Sequence, residues 1–333
     1  MSILRSSRLY QIVFALVFVA QPSVLGAEPL RIVYTAVSLM YGPLWVTQDT
    51  GIFRKNNLAV ELLYISGGNL STAALVSGDV QIAFTGAANV VAANLSGADV
   101  VLLGATIDRL PFEFWAAPTV KTSTQLKGTK MGLTRIGSTT HFVARYVLKS
   151  WGLRENDVAF IQTGGQPELF AALKAGLIQS AILNTGPFTV RAQQEGFNRL
   201  ADVAAMGRPY VYGTMAVRES FAQSRPDLLR RFARAFVEGI HRFKTDRRIA
   251  LATIEKYTRT KITPETEQVY DIYAQRYIKR VPEITREGMQ TVLEEIGESR
   301  PLPSGLTAQR FLNPRYFKDL SDSGFVDELY RSR

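Results

Sequence analysis

The feature that most constrains this chain is an internal repeat of a short β/α unit. Residues 73–86 read AALVSGDVQIAFTG and residues 171–184 read AALKAGLIQSAILN, with six of fourteen positions identical. Upstream of each copy lies a β-like run that ends in a glycine pair, at 67–68 and at 164–165. This shared order of strand, glycine pair, helix, glycine and strand indicates two homologous units. The sequence therefore predicts two similar α/β lobes that face each other.

Around the repeat, β-like and helical runs alternate, which favours a parallel α/β architecture. Strands are predicted over 30–36, 58–65 and 80–84, and helices over 41–50 and 70–77. Two extended segments, 101–117 and 208–217, are interpreted as crossings between the lobes, and paired crossings permit a closing motion about two hinges. Beyond Pro226 apolar residues recur at helical spacing, so the last third of the chain is predicted to be helical.

The length and the crossings together predict how the chain is divided. A chain of 333 residues suits two domains. We expect lobe 1 to be discontinuous, built from residues 27–108 and 212–333, and lobe 2 to comprise residues 109–211. Residues 1–26 are expected to be removed.

The first 26 residues are typical of a secretory signal peptide. Arg5 and Arg8 precede the nine-residue apolar run 12–20, and the small residues Gly26 and Ala27 follow. The run is well short of the roughly 20 residues that span a bilayer. No cysteine stands at the junction to carry a lipid. We therefore expect a protein exported to the periplasm, neither lipid-anchored nor stably inserted in a membrane.

Residue types disfavour several classes of function. The chain has no cysteine, which excludes a disulfide framework, a thiol nucleophile and cysteine metal ligands. His141 and His241 are the only histidines, so a zinc site is not expected. The sequence lacks the serine-hydrolase elbow, the phosphate-binding loop and the zinc-peptidase motif. The adjacent Glu294 and Glu295 are interpreted as a solvated helix face. We expect no catalytic residues, no metal and no cofactor.

The formal net charge of +10 raises the question of an anionic partner. Much of the excess lies between Arg225 and Lys261, where acidic residues are interleaved with the basic ones. We interpret this stretch as a solvated helix face, because mixed charges and export both argue against binding to nucleic acid. No nucleic-acid partner is expected.

The loops that follow the predicted strands are candidates for ligand binding, because ligands of open α/β sheets bind beyond the carboxyl ends of the strands. These loops carry Gly, Ser, Thr and Asn, which let backbone N–H groups approach a ligand. The loops span 38–41, 67–70, 85–89, 137–140, 164–166 and 184–187. The strongest candidate is 135–140, RIGSTT, which opens an amphipathic helix and would present free N–H groups. Ordinary helix capping and turn formation stay open as the alternative.

The charge of the ligand is left open by the sequence. Five charged residues lie near the predicted cleft, where ligand contacts and salt bridges are equally plausible: Asp108, Arg109, Glu113, Arg135 and Arg208. A sulfonate or carboxylate held by N–H groups fits the loops. A neutral heterocycle stacked on Tyr41 or Trp115 fits them equally well.

The segment 41–68, YGPLWVTQDTGIFRKNNLAVELLYISGG, resembles the opening of the periplasmic binding proteins for nitrate, sulfonates, taurine and thiamine precursors. The matching residues are Pro43, Leu44, Trp45, Gly51, Phe53, Leu58, Val60 and Leu62. Asn57 replaces the family's usual Gly, a change compatible with a left-handed turn. Residues 74–86 resemble a second family motif, with Gln81 where Asp is usual. The likeness covers most of residues 30–217 and fades in the helical C-terminal third.

The resemblance implies a type II periplasmic-binding-protein fold of class α/β, two-lobed, with a ligand cleft between the lobes and a helical C-terminal part. It also implies a monomer that delivers a small-molecule ligand to a membrane ABC permease. By position, and with Tyr41 completing the first loop, the predicted ligand-binding residues are Ser38, Met40, Tyr41, Gly67, Gly68, Thr85, Gly86, Gly137, Ser138, Thr139, Thr140 and Asn184.

We expect the ligand to be a small polar or anionic molecule, either a sulfonate, nitrate-like or taurine-like, or pyrimidine-like. Two alternatives stay open, a periplasmic ligand-sensing subunit and an enzyme on the same fold. Relatives that make a thiamine pyrimidine carry a Cys-rich signature, which this chain lacks.

Overall fold

A computed structural model describes residues 28–299 and 301–331. The predicted signal peptide, residues 1–26, lies outside these residues. The strands are β1 Glu28–Tyr34, β2 Leu58–Tyr64, β3 Ile82–Thr85, β4 Val100–Ile107, β5 Phe112–Ala116, β6 Lys130–Leu133, β7 Ala159–Gln162, β8 Ser180–Asn184, β9 Asn198–Asp202 and β10 Tyr212–Arg218.

Helices surround these strands and make up most of the chain after β10. The α-helices are α1 Gly42–Asp49, α2 Ile52–Lys55, α3 Gly68–Ser77, α4 Ala87–Leu95, α5 Thr139–Ser150, α6 Gln166–Lys174, α7 Pro187–Gln194, α8 Glu219–Ser224, α9 Pro226–Thr245, α10 Arg247–Thr258, α11 Pro264–Ile272, α12 Arg286–Ser299, α13 Arg315–Asp322 and α14 Phe325–Arg331. Short 3-10 helices span Leu39–Tyr41, Ser123–Leu126, Glu155–Asp157, Ala204–Met206 and Ala308–Phe311, and a π-helical turn spans Tyr273–Tyr277.

The strands form two five-stranded sheets with equivalent topology. Sheet 1 has the order β2-β1-β3-β10-β4, and sheet 2 has the order β7-β6-β8-β5-β9. In each sheet the first three strands are parallel and the remaining strands pair antiparallel. The two sequence repeats are α3–β3 and α6–β8, which occupy the same position in the two sheets. The predicted pair of similar α/β units is confirmed.

Two glutamines that the repeats share make the same contact in both sheets. The Oε1 atom of Gln81 accepts the N–H of Arg31 at 2.9 Å, and Oε1 of Gln179 accepts the N–H of Lys130 at 3.1 Å. Each glutamine also donates its own backbone N–H to the carbonyl of the same partner. These contacts extend the parallel pairs β1–β3 and β6–β8 by one residue, which gives the repeated Gln a structural role.

Two crossings join the sheets and lie side by side. The first crossing, residues 108–111, follows β4, and the second crossing, residues 203–211, follows β9. The N–H of Tyr210 in the second crossing donates to the carbonyl of Asp108 in the first at 2.9 Å. The chain therefore enters and leaves sheet 2 at one place, as the extended segments 101–117 and 208–217 predict.

The helical C-terminal third packs around sheet 1. Helix α9 is the longest described helix and buries residues such as Phe236 against α1 and the sheet. Its opposite face carries ion pairs one turn apart, Arg230–Asp227 at 2.5 Å and Arg242–Asp246 at 2.9 Å. Most basic residues of this stretch are exposed, as predicted, but Glu238 is buried and Lys244 is half-buried, with its Nζ donating to the carbonyls of Ala274 and Ile278. Within the described residues, no helix has both the length and the apolar character that a membrane span requires.

The interpretation of Glu294 and Glu295 as a solvated pair is wrong for Glu295. Glu294 is exposed and pairs with Arg208 at 3.0 Å. Glu295 is 6% exposed, and the Tyr210 hydroxyl donates to its Oε2 at 2.5 Å. Burial raises the pKa of Glu295 to about 7. The sequence shows two adjacent acids, but only the packing of α12 on the second crossing decides which of them faces the interior.

Candidate functional site

A cleft of about 90 Å³ lies between the sheets, beyond the carboxyl ends of their parallel strands. Each of the six loops predicted from the sequence contributes at least one residue to its wall. The volume is small beside the roughly 300–1,000 Å³ of pockets that hold drug-sized ligands. The cleft in this conformation therefore suits a ligand of a few heavy atoms.

The structure brings most of the predicted ligand-binding residues together. Those that line the cleft are Met40, Tyr41, Gly67, Gly68, Thr85, Gly86, Ser138, Thr139, Thr140 and Asn184. Ser38 does not line it and is buried behind the wall. Gly137 also lies outside, and its N–H already donates to Nδ1 of His141 at 3.1 Å.

Several cleft residues were not selected from the sequence. They are Thr35, Tyr64, Phe112, Thr134, Gln166 and Tyr212. Most of them are the last residue of a strand, the residue just after one, or the first residue after a crossing. Their position near a strand end could have identified them as candidates for the cleft wall. Side chains alternate between the two faces of a strand, however, so the sequence does not show which of two neighbouring end residues points into the cleft.

Four helices begin at the cleft. Their N-cap residues are Gly67 for α3, Gly86 for α4, Ser138 for α5 and Gly165 for α6. None of the four N-caps accepts a hydrogen bond with its own side chain, so first-turn N–H groups are left without that partner. Each helix N-terminus also carries a partial positive charge. The arrangement creates a positive potential in the cleft and favours an anion.

Two hydrogen-bond donors of the cleft wall have no acceptor among the described residues. The Nε atom of Arg135 is buried and unpartnered, and the side chain lies against the backbone of Gly67 from the opposite sheet. Gln166 is 4% exposed, and its Oε1 accepts the N–H of Asn184 at 3.0 Å. That bond orients the amide, and its Nε2 is buried without a partner. Buried polar groups are rarely left unsatisfied, so two such donors in one cleft make it a candidate ligand site.

Hydroxyl groups bond to one another in both walls, as those of Thr134, Ser138 and Thr140 do on the side of sheet 2. The wall on the side of sheet 1 is different, because the described residues that form it contain no buried side-chain donor without a partner. We call residues 67–69 and 85–89 the sheet 1 wall. The hydroxyl of Thr85 contacts Ser71, Thr72 and the carbonyl of Gly68, each at 3.1 Å. The side-chain amides of Asn69 and Asn89 also bond to each other. This wall is a pre-formed frame, whereas the sheet 2 wall, residues 134–140 and 164–166, contains the unpartnered donors.

Aromatic rings complete the cleft, and their hydroxyl groups are engaged. The hydroxyl of Tyr41 bonds to Oγ1 of Thr35 at 2.7 Å, and burial raises the pKa of Tyr41 to about 12. The hydroxyl of Tyr212 accepts from Nδ2 of Asn184 at 2.9 Å. Burial raises the pKa of Tyr212 as well. These phenols stay neutral at physiological pH and present their rings to the cleft as apolar surface.

Of the five charged candidates, the structure brings Arg135 alone to the cleft. The others form ion pairs elsewhere: Asp108–Arg109 at 3.0 Å, Asp108–Lys279 at 3.3 Å, Glu113–Arg199 at 3.7 Å and Arg208–Glu294 at 3.0 Å. Trp115, considered for ring stacking, is buried in the core beside sheet 2. Within residues 28–299 and 301–331, no group of three or more His, Cys, Asp or Glu is placed to hold a metal ion.

Comparison with known proteins places this geometry in context. A sequence model of the family described as "NMT1/THI5 like" matches residues 40–246, more than half of the chain. No curated protein sequence matches the chain significantly.

Solved structures resemble the whole molecule. The alkanesulfonate-binding protein SsuA from Xanthomonas axonopodis pv. citri, bound to MOPS, has a TM-score of 0.71 at 16% identity and covers 86% of this chain and 98% of its own. The periplasmic aliphatic sulphonate binding protein SsuA from Escherichia coli has a TM-score of 0.68 at 18% identity, with coverages of 85% and 91%. The periplasmic nitrate-binding protein NrtA from Synechocystis PCC 6803 has a TM-score of 0.71 at 12% identity, with coverages of 89% and 89%. At these identities the likeness establishes the periplasmic-binding-protein fold.

Proposed function

The chain belongs to the NMT1/THI5-like family, and from this premise we propose that it is a solute-binding protein that captures a small anion between two lobes. The observation that carries the proposal is the pair of buried, unpartnered donors, Nε of Arg135 and Nε2 of Gln166, in a cleft where four helices begin. A bound anion would supply the acceptors that these groups lack.

The energy of such a site is sufficient for useful affinity. A hydrogen bond that involves a charged group contributes about 1.5–3 kcal/mol, and a helix N-terminus adds about 0.3–1 kcal/mol for a nearby negative charge. Two charge-assisted bonds and four helix N-termini can therefore approach the roughly 8 kcal/mol that corresponds to micromolar affinity. The neutral pyrimidine considered from the sequence would satisfy the donors but would gain less from the positive potential.

Capture is proposed to proceed by closure of the lobes. We assign residues 27–108 and 212–333 to lobe 1 and residues 109–211 to lobe 2, an assignment supported by the membership of the two sheets. The cleft walls come from both lobes, so a ligand that binds both walls would shift an open–closed equilibrium towards the closed form. The adjacent crossings are the proposed hinges.

The wider biological role follows from the family and the fold. We propose that the protein is exported to the periplasm through residues 1–26 and, as a monomer, delivers its ligand to a membrane ABC permease. Two of the named structural relatives, from Escherichia coli and Synechocystis, are periplasmic binding proteins, which supports this location. We also propose that the ligand is released unchanged. Among the described residues that line the cleft there is no His, Asp, Glu or Lys to act as a general acid or base.

The proposal is tested by ligand binding to the purified mature protein, residues 27–333. Nitrate, ethanesulfonate and propionate are compared with the neutral pyrimidine uracil by thermal shift, because a ligand that binds the folded state raises the melting temperature. We expect at least one anion to raise it and uracil to leave it unchanged. Failure of every anion to shift the melting temperature of a folded sample would contradict the proposal.

A pair of variants then locates the site. Arg135→Gln is expected to weaken binding of the active anion at least tenfold in calorimetry. Lys149→Gln removes a positive charge from the other end of α5, on an exposed residue, and is expected to leave affinity unchanged. Equal loss in both variants would indicate a general effect of net charge and would rule out a specific contact by Arg135.

A further inference from the structure

The cleft has donors for an anion but no acceptor suited to a cation. Among the described residues that line it, Arg135 is the one charged side chain. Two carboxylates lie near the wall, but neither residue lines the cleft, and each accepts a hydrogen bond. Oε2 of Glu168 accepts the N–H of Gly165 at 3.0 Å, and Oε2 of Glu113 accepts Nε1 of Trp115 at 3.1 Å. A ligand ammonium group in this cleft would therefore be desolvated without a carboxylate partner.

The electrostatic potential in the cleft also favours an anion over a cation. The N-termini of α3, α4 and α5 and the Arg135 guanidinium place positive charge around a cavity of about 90 Å³, whereas the Glu168 carboxylate in the first turn of α6 offsets the charge of that helix N-terminus. Aromatic rings can attract cations, but the rings here are packed against one another. Phe112 and Tyr212 meet edge to face at 5.3 Å between centroids, and Tyr41 meets Phe84 in the same way at 6.1 Å.

The acceptors that a cation needs are also occupied within the sheet 1 wall. The carbonyl of Gly68 accepts from both Ser71 and Thr85, and the Tyr212 hydroxyl accepts from Asn184. The groups that lack partners, Nε of Arg135 and Nε2 of Gln166, are donors. Among the described residues that line the cleft, the buried side-chain atoms without a partner are thus all donors.

We infer that the cleft selects a monoanion whose remainder is short, apolar and uncharged, and that it rejects zwitterions with the same anionic group. This inference rests on the proposed capture of an anion and narrows the class of ligand that is captured. It separates simple alkanesulfonates or carboxylates from their amino-substituted analogues, which carry the same negative group and an added ammonium.

Two matched ligand pairs test the inference by calorimetry at pH 7. Ethanesulfonate is compared with taurine, and propionate with β-alanine; in each pair the second molecule carries an ammonium group in place of a hydrogen. We expect the unsubstituted member of at least one pair to bind at least tenfold more tightly than its amino partner. Equal or tighter binding of the amino member would overturn the inference and leave the proposed anion capture intact. Binding of no member, together with no response to nitrate, would overturn both.

A negative charge introduced into the wall provides an independent check. Gln166→Glu keeps an acceptor for the Asn184 N–H and replaces the free Nε2 donor with a carboxylate oxygen. We expect the ratio of taurine affinity to ethanesulfonate affinity to rise at least tenfold. The control Gln193→Glu makes the same chemical change on an exposed residue of α7 and is expected to leave the ratio unchanged. An unchanged ratio in a folded Gln166→Glu variant would contradict the inference.

Discussion

The two walls of the cleft come from two sheets of the same topology, yet they differ in whether all of their buried side-chain donors have partners. In the sheet 1 wall, Thr85 bonds to Ser71 and Thr72, and Asn69 bonds to Asn89. In the sheet 2 wall, Arg135 and Gln166 each keep a buried donor without a partner. The sheets have the same topology, so the difference lies in the loops and side chains that each sheet contributes to the cleft.

The contrast shows which parts of a duplicated unit are free to diverge. Gln81 and Gln179 make the same backbone contact in both copies, because each continues a parallel strand pair. The loops beyond the strands do not take part in this strand pairing. One copy can therefore serve as a rigid frame while the other recognises the ligand.

The largest effect is expected where helix α12 meets the second crossing, at Glu295. Burial raises the pKa of this carboxyl to about 7 from 4.5. Because the folded-state pKa is raised, the stabilisation of the protonated form is fully present below pH 4.5 and is lost as the pH rises through about 7. The groups that face it are Tyr210, Arg145 and Arg208, with Glu298 on the same helix. Folding should thus be less favourable in mild alkali.

Glu295→Gln removes the ionisation and should remove this loss. The free energy of unfolding of the variant, relative to the wild type, should rise between pH 5 and pH 8.5 by on the order of 3 kcal/mol, from a pKa difference of about 2.5. Urea denaturation at the two pH values measures it. Glu294→Gln, on the exposed neighbour, is the control and should follow the wild type. Parallel profiles for Glu295→Gln and wild type would show that the buried carboxyl does not titrate in this range.

The second effect tests the sheet 2 wall directly. Gln166→Leu removes the unpartnered Nε2 donor, and we expect the affinity for the captured anion to fall about 10–100-fold, in line with about 1.5–3 kcal/mol for a bond to a charged group. Calorimetry measures it, with the melting temperature of the ligand-free variant as a check on folding. If Thr85→Val, on the sheet 1 side, weakens binding by as much, recognition of the anion is not specific to the sheet 2 wall.

The third effect concerns the contribution of the sheet 1 wall to the stability of the protein. Thr85→Val removes a hydroxyl that forms hydrogen bonds with the hydroxyls of Ser71 and Thr72 and with the carbonyl of Gly68. Those groups are then left buried with fewer hydrogen-bond partners. We expect the free energy of unfolding to fall by about 1–2 kcal/mol, with affinity within about threefold of the wild type. Chemical denaturation and calorimetry on the same sample measure both quantities. A large loss of affinity with unchanged stability would assign Thr85 to ligand contact instead.

The smallest effect tests whether the repeated glutamine has the same structural role in both copies of the unit. Gln81→Leu removes the exposed hydrogen bond to the N–H of Arg31, and Gln179→Leu removes the corresponding bond to Lys130 together with a weaker bond from Nε2 to the carbonyl of Gly176 at 3.3 Å. Each should lower the free energy of unfolding by about 0.5–1 kcal/mol, and the double variant should show the sum, since the sites lie in different sheets. Denaturant titration of the three variants is the measurement. Clearly unequal single losses would mean that the shared Gln does not have the same role in the two copies.

Much of the fold could be predicted because it depends on local patterns. The glycine pairs, the helix-ending Gly78 and the alternation of strands and helices are features of short segments. Gly78 has a left-handed backbone at the end of α3, and Asn57 also adopts a positive φ of 55°, the left-handed turn that its place in the family motif implies. The crossings were readable because extended segments without a helical period must join the two units.

The site was less predictable because it depends on side-chain direction. The sequence identifies the loops beyond the strands, and those loops do meet. It does not show that His141 takes the N–H of Gly137 four residues earlier, or that Asn184 orients the amide of Gln166. The burial of Glu295 likewise depends on how α12 packs against Tyr210. Each of these contacts joins segments whose relative placement only the folded chain defines.

The bond between Tyr210 and Asp108 has a consequence for engineering. Because the two ends of residues 109–211 meet at a single backbone hydrogen bond of 2.9 Å, that segment is a cassette with neighbouring entry and exit points. Such a cassette can be exchanged between relatives by two cuts, provided that its contacts with α12, such as Tyr210–Glu295 and Arg145–Glu298, are kept. If ligand recognition resides mainly in this segment, the chimera should have the ligand preference of the protein from which the segment was taken.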